Sequence, residues 1–293
     1  MKCLLCNSEE NEIFASEESF GFPLTYYQCE NCGLVFQSIE ESSAAAPGFY
    51  EETYRKIYQS SEEPTAKDIW VQEYRAEHLV RLVGAKGVGA PDRVLDIGAS
   101  TGILLEAFER TYNSVVTGVE PGEAYRAFAE EKGIKMFDSL EALIASRPEK
   151  FDLVSMVHVL EHLADPVGTL QKIRRELLSE NGVLLLEVPN FYVHDSYELA
   201  HLACYTPHTL AETVKKAGYG LVSLHGHGIP RSILLNLYLT LLAKPLSKDA
   251  DIQPVRPDRF VQIRRQVSFI YRRVVQKLFP RKAWLPLPEE EES

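Results

Sequence analysis

The run HVLEH (158–162) places His158, Glu161 and His162 at i, i+3 and i+4, directly after the apolar segment FDLVSMV. Ionisable groups beside a segment that must be buried are costly unless something uses them. Their types allow three readings: metal ligands, an acid/base pair, or polar residues that end a strand. The acid/base reading has a physical basis. Imidazole titrates near neutrality, so His162 can take a proton. The adjacent carboxylate of Glu161 can orient the ring and stabilise its charged form.

Four of the five cysteines form two pairs of identical spacing, CLLC (Cys3, Cys6) and CENC (Cys29, Cys32), with 22 residues between the pairs; Cys204 stands alone. Each pair fits a knuckle that turns both thiolates towards one ion, and two knuckles complete a tetrahedral site. Gly33 suits the turn after the second pair. FPLTYYQC and LVFQS read as strands around it. The pattern over residues 1–42 is that of a zinc ribbon. Four protein ligands leave no open position, so the zinc is expected to be structural, holding a module too small for its own core.

Such groups act only where a scaffold brings them together. From residue 91 the sequence alternates. DRVLDIG, SVVTGVEP, IKMF, FDLVSMV and GVLLLEVPN read as strands; ILLEAFERT, GEAYRAFAEEKG and PVGTLQKIRREL read as helices. This alternation predicts an α/β chain with a mostly parallel, doubly wound, Rossmann-like sheet. Ligands of such sheets bind at the carboxyl ends of the strands, near the switch point. LDIGASTG is the nucleotide-binding turn: Asp96 ends a strand, and Gly98 and Gly102 let the backbone approach a ligand. Glu120 lies 24 residues after Asp96, at the end of the next strand. An acid there can accept hydrogen bonds from both ribose hydroxyls. The D-x-G-x-x-x-G spacing differs from the GxGxxG of a pyrophosphate clamp.

With VLDIGASTG, the acid of GVEP, the FD opening of the fourth strand, HVLEHLADP and GVLLLEVPN, residues 70–225 resemble class I S-adenosylmethionine (SAM)-dependent methyltransferases. That family usually has glycine where this chain has Ser100. The resemblance implies that the methionine portion of SAM lies near Asp96 and Gly98, with Ala99 and Gly102 also at the cofactor. It implies the ribose on Glu120, beside Pro121, and the adenine near Asp138 and Ser139. Asp138 is equally suited to cap the helix of FDSLEAL. His158 would border the cofactor. The cysteine module ahead of this domain resembles a subgroup whose best-known members are sugar C-methyltransferases, with relatives in polysaccharide synthesis. Glu161 and His162 resemble the pair assigned there to proton abstraction. This implies a sugar, nucleotide-sugar or glycan acceptor, methylated at O or C. HVLEH with a later histidine also resembles the metal-ligand set of small-RNA 2′-O-methyltransferases. His201 or His208, in ELAHLACYTPHTL, would then be the distal ligand. Other readings are methylation of a small metabolite and a protein that binds SAM without catalysis. His201, Tyr205 and His208 are expected on a loop facing the substrate, with Thr206 capping a helix and Pro207 at its first position.

The remaining chain supports these elements. Residues 43–90 form a helical linker in this reading, with Tyr50, Tyr54 and Tyr58 on one helical stripe, either core or a lid over the cofactor. Residues 91–228 form the methyltransferase domain. Residues 229–293 form a helical extension: SILLNLYLTLLAKPL is an apolar helix candidate, and residues 256–284 carry nine Arg/Lys against one acid, Asp258, before an acidic tail. A basic amphipathic helix reads either as a peripheral membrane contact or as a partner of the acidic body. The net charge of −11 argues against general nucleic-acid binding. No leader is visible and the longest apolar run is too short to span a bilayer, so the expected location is cytoplasmic, with the inner membrane face as the peripheral alternative.

Overall fold

The computed structural model describes residues 1–20, 22–38, 63–247 and 250–288. Tyr50, Tyr54 and Tyr58 lie outside these, so the lid expectation is not addressed. The chain opens with three antiparallel strands, β1 (Asn11–Ser19), β2 (Phe22–Cys29) and β3 (Val35–Gln37), paired in that order. Helix α1 (Ala66–Ala85) follows. Then come β4 (Arg93–Ile97), α2 (Ile103–Tyr112), β5 (Val115–Val119), α3 (Glu123–Glu131), β6 (Lys135–Phe137), α4 (Leu140–Ala145) and β7 (Phe151–Val157). A single 3-10 turn (Leu160–His162) leads to α5 (Pro166–Glu176) and β8 (Leu178–Pro189). The chain continues through β9 (Ala203–Cys204), α6 (Pro207–Lys216), β10 (Tyr219–His227) and β11 (Tyr238–Pro245) to α7 (Val261–Leu278) and α8 (Pro280–Ala283).

Seven strands form the main sheet in the order β10-β11-β8-β7-β4-β5-β6. β4 to β8 are mutually parallel, and β11 runs antiparallel to both β8 and β10. The winding direction changes between β4 and β7. A crevice must therefore open at their carboxyl ends, where LDIGASTG and HVLEH meet. The parallel strands are apolar runs because helices cover both faces. Helix α2, for example, buries Ile103, Leu104, Leu105, Ala107 and Phe108.

Three local expectations resolve differently. The stretch 232–246, expected as a helix, supplies β11 instead. Its leucines favour a helix in isolation, but pairing on both edges satisfies every ladder and buries Tyr238 to Ala243 on both faces. The main sheet thus continues past residue 228. At α4 the N-cap is Ser139, whose Oγ accepts from the Ala142 amide at 3.2 Å, rather than Asp138. The cysteine module is not self-contained either. Its core is continuous with that of the main domain, and β9 pairs with β3 as a fourth strand of the small sheet. The cap expected at Thr206, with Pro207 at the first helical position, is present.

This fusion fixes the loop between β8 and α6. Tyr26 Oη lies 2.9 Å from the Glu198 carbonyl and accepts from the Glu198 amide at 3.1 Å. Gln37 Nε2 donates to the His201 carbonyl at 2.8 Å. Both side chains are buried, so an unpaired partner could not turn to water. From the other side, Arg265 of α7 donates to the Phe191 carbonyl and stacks over the Phe191 ring. Arg272 donates to the Val193 carbonyl at 2.8 Å. Asp258 joins the two grips: its Oδ2 accepts from Thr206 at 2.6 Å, and its amide donates to the Cys32 carbonyl at 3.0 Å. Gly33 has φ +81°, and a Cβ there would stand 2.4 Å from the Asp258 oxygen, so glycine is required.

Tyr26→Phe should therefore lower stability by about 1–3 kcal/mol, the usual cost of stranding buried hydrogen-bonding groups. Urea unfolding followed by tryptophan fluorescence measures it. An unchanged midpoint would mean that this clamp contributes nothing.

Candidate active site

The crevice has a floor of backbone turns. Gly98 (φ +77°) and Gly102 (φ +74°) take the left-handed conformation, and a Cβ on Gly98 would stand 2.4 Å from Val159. The amides of Gly98 and Ala99 donate to the Val119 carbonyl at 2.8 and 3.0 Å, tying the turn to β5. Glu120 closes one side, its oxygens accepting from the Ser100 and Gly122 amides at 2.9 and 2.7 Å. A carboxylate offers about four lone-pair positions, so both oxygens retain capacity for ligand hydroxyls. Ser100, the departure from glycine, adopts φ 50° and accepts from Gln72 Nε2 at 3.2 Å. Its hydroxyl thereby fastens α1 to the turn. Pro121 is exposed beside Glu120, and Asp138 is exposed with its Oδ1 accepting from Ser139 at 2.8 Å.

Asp96 lies beneath the turn and accepts from Ser155 Oγ at 2.7 Å. Burial pushes its pKa up to about 7; the Ser155 bond opposes that rise and the Glu120 charge adds to it. A cavity of about 150 Å³ reaches from Asp96, Gly98 and Ser100 to Gln72, Arg75 and His158.

HVLEH divides into two groups. His158 (φ 56°) turns towards β8, its Nε2 3.3 Å from Glu187 and its Nδ1 3.3 Å from Glu161. Burial and the Arg75 charge work against the imidazolium, but the two carboxylates outweigh them and raise the His158 pKa. His162 turns the other way, with Nδ1 2.8 Å from the Ala200 carbonyl. A carbonyl only accepts, so Nδ1 carries the proton and the neutral ring has its lone pair on Nε2. The same logic sets His201, whose Nδ1 is 3.2 Å from the Ser196 carbonyl. Burial, helped by the His162 charge, lowers the His201 pKa to about 3.

Glu161, His162 and His201 converge, with one ligand atom from each lying within 4.8 Å of the others. Glu161 is buried, and neither of its oxygens has an aligned hydrogen bond among the described residues. Burial would raise its pKa, but His158, His162 and His201 reverse the shift and hold it at about 2. The cluster therefore sets a carboxylate beside two imidazole rings. It has His201 where the metal alternative offered His201 or His208, and it leaves out His158, which that alternative included and which turns to β8 instead. His208 instead faces the Arg256 carbonyl at 2.8 Å. Tyr205 is buried, not displayed on the loop. The burden falls on the backbone here: Ala200 and Ser196 choose the tautomers, and the Tyr26–Gln37 clamp holds that backbone.

Sequence reading did not single out Arg75 or Glu187. Glu187 is fully buried on β8, ion-paired with Arg75 at 2.8 Å and 3.1 Å from His227 Nε2, and it accepts from Thr240 at 3.0 Å. Hydrogen bonds from His158 and His227 and the Arg75 charge hold its pKa well below the ordinary range despite burial. The signal was the lone acid in GVLLLEVPN, since an acid within a buried strand needs partners. Those partners come from α1, β10 and β11, too far apart in sequence to infer.

At the other end, the Sγ atoms of Cys3, Cys6, Cys29 and Cys32 all lie within 4.8 Å of one another, with two pairs at 3.5 Å. Tetrahedral zinc, with Zn–S near 2.3 Å, requires sulfurs about 3.8 Å apart. The four thiols fit such an ion. Cys204 is buried and separate from this group among the described residues.

A parallel sheet with a reversed final hairpin, and a glycine cradle at its switch point, defines the fold of the SAM-dependent methyltransferases. Residues 70–224, more than half the chain, match the family model described as a methyltransferase domain, and the chain belongs to that family. It is similar to the ubiquinone biosynthesis O-methyltransferase of Actinobacillus pleuropneumoniae serotype 5b (strain L20), 36% identical over 109 residues, 33% of this chain and 46% of that protein. The similarity to the protein of the same description from Pseudomonas fluorescens (strain Pf0-1) is 37% over 109 residues, 35% of this chain and 41% of that one. The chain thus spans less than half the length of these curated relatives. A solved Burkholderia thailandensis 1,6-didemethyltoxoflavin-N1-methyltransferase, with bound 1,6-didemethyltoxoflavin and S-adenosylhomocysteine, shares the fold at a TM-score of 0.53 and 21% identity, over 73% of this chain and 96% of that one.

Asp96 gives a pH test. Its folded pKa lies near 7, above the ordinary carboxylate value, so between about pH 4 and 7 the native state holds a proton that the unfolded chain releases. Stability then falls as pH rises through that window. Asp96→Asn should be more stable relative to wild type at pH 8 than at pH 4, by urea titrations at both. Parallel pH profiles for the two proteins would contradict the raised pKa.

Proposed function

We propose that this chain transfers a methyl group from SAM to a hydroxyl of a small acceptor, with His162 as the base. The observation that carries the reading is the hydrogen bond from His162 Nδ1 to the Ala200 carbonyl. In the neutral ring this makes Nε2 the accepting nitrogen, close to the buried Glu161 carboxylate, while His158 of the same run lines one cavity with Asp96, Gly98 and Ala99 of the cradle that Gly102 and Glu120 complete. The cradle suits SAM, with Glu120 on the ribose, Pro121 beside it, and Asp138 and Ser139 towards the adenine. Bound there, SAM supplies an electrophilic methyl group on a sulfonium. His162 accepts the hydroxyl proton as the acceptor oxygen forms its bond to carbon and the carbon–sulfur bond breaks. Glu161 stabilises the resulting imidazolium. His158, bridging Glu161 and Glu187, positions Glu161 and joins α1 to the cofactor floor through Arg75.

The O-methyltransferase descriptions of the curated relatives support an oxygen acceptor. The cysteine module ahead of a methyltransferase domain supports a sugar, nucleotide-sugar or glycan as its class. A structural zinc in the Cys3–Cys6–Cys29–Cys32 group is part of this reading.

The buried, unaligned oxygens of Glu161 favour one second reading: Glu161, His162 and His201 hold a divalent cation that binds the acceptor oxygen. Donors of this kind suit a first-row metal.

His162→Ala should leave SAM affinity near wild type and lower turnover by about 10²–10⁴-fold, the usual worth of general-base catalysis. Partial recovery at high pH should follow, since the acceptor then loses its proton unaided. Glu161→Gln should lose less. Glu120→Ala should weaken SAM binding by about 1–3 kcal/mol. The assay is S-adenosylhomocysteine release over a panel of nucleotide sugars and phenols. Near-wild-type turnover of His162→Ala would sink the base. Loss of activity in EDTA, restored by Mn²⁺ with the ribbon still folded, would select the second reading.

A further inference from the structure

Helix α7 has two opposed faces. The inner one is committed to the body: Val261, Arg265 and Val275 are buried, and Arg272 is held by Val193 and Asp195. The outer one carries Ile263, Val267, Ile270, Val274 and Leu278, each at least half exposed. Their spacings of four, three, four and four residues draw one stripe along a helix of 3.6 residues per turn. Tyr271 lies on the edge of the stripe, and Phe260 and Phe279 extend it at the two ends, all three at least half exposed. A single exposed apolar residue needs no explanation, but a continuous stripe five turns long marks a contact surface.

The charges around the stripe indicate its partner. Arg273 and Lys277 are exposed along one side of it and Arg264 along the other, with Arg256 and Arg259 before the helix and Arg281 and Lys282 after it. The helix itself contains no Asp or Glu. The whole chain carries −11, so this concentration of cations is local and opposite in sign to the rest. Two copies joined through the stripe would set the cationic rows against each other. An anionic bilayer offers both acyl chains for the stripe and phosphates for the rows. No helix among the described residues is long and apolar enough to cross a membrane, so the helix would lie in the headgroup plane.

We propose that α7 docks this protein peripherally on anionic phospholipid bilayers, with Ile263, Val267, Ile270, Val274 and Leu278 inserted and Arg273 and Lys277 on lipid phosphates. Through Arg265 and Arg272 the docked helix grips the same loop that carries His201. The docking does not rest on the reaction assigned above.

The test is co-sedimentation of the zinc-loaded protein with phosphatidylcholine–phosphatidylglycerol vesicles, against phosphatidylcholine alone, with light scattering in parallel. The expected result is binding that needs phosphatidylglycerol and weakens as salt rises. Ile270→Asp/Val274→Asp should weaken it by about tenfold or more, as should Arg273→Glu/Lys277→Glu. These side chains point outward, so circular dichroism and SAM affinity should match wild type in both variants. Three results would overturn the proposal: no sedimentation of wild type, equal sedimentation of the variants, or a wild-type dimer that Ile270→Asp/Val274→Asp turns into a monomer, which would assign the stripe to a second copy.

Discussion

The loop from residue 190 to 206 has no regular structure apart from the two residues of β9, yet it supplies Ala200 and His201 to the site. A loop of that kind holds a catalytic geometry only if its backbone is bonded elsewhere. Two elements outside the methyltransferase sheet do this. Tyr26 and Gln37 of the cysteine module hold the carbonyls of 198 and 201, and Arg265 and Arg272 of α7 hold those of 191 and 193. Asp258 ties both elements to Thr206. The cysteine module therefore supports the loop that carries Ala200 and His201. A metal in its four-cysteine group would act on chemistry only by stiffening that support.

The charges follow from the same geometry. Two carboxylates are buried close together, Glu161 in the turn after β7 and Glu187 near the end of β8. Each would be costly alone. Arg75 compensates Glu187, and His158 stands between the two acids. His162 and His201 are left with tautomers set by carbonyls rather than by carboxylates. Neighbouring histidines thus differ: two carboxylates raise the His158 pKa, and a backbone carbonyl fixes the tautomer of His162. Asp96 illustrates the opposite case, a buried acid with a hydroxyl but, among the described residues, no ion-paired cation, whose proton is held more tightly.

Much of this was legible in the sequence, for reasons that can be named. The parallel strands and their helices announce themselves by local periodicity, and Gly98 and Gly102 by the turn they permit. The cysteine spacing identified a convergent four-sulfur group. The stretch 232–246 was misread because a leucine-rich run between two partners looks like a helix when the partners are not visible. The fusion of the module with the main core could not be read, since β3 meets β9 across more than 160 residues of chain. Arg75 and Glu187 were missed for the same reason. In HVLEH the residue types were legible but their directions were not. The left-handed conformation of His158 sends that ring to β8, away from His162.

The claim on which the rest depends is that the cysteine module fixes the loop from residue 190 to 206. Hydrogen-exchange mass spectrometry of the zinc-loaded protein against Cys29→Ser tests it directly. The account predicts faster exchange across residues 196–206, while β4 and β5 keep their protection. Unchanged protection of 196–206 in a variant that has lost its metal would contradict it.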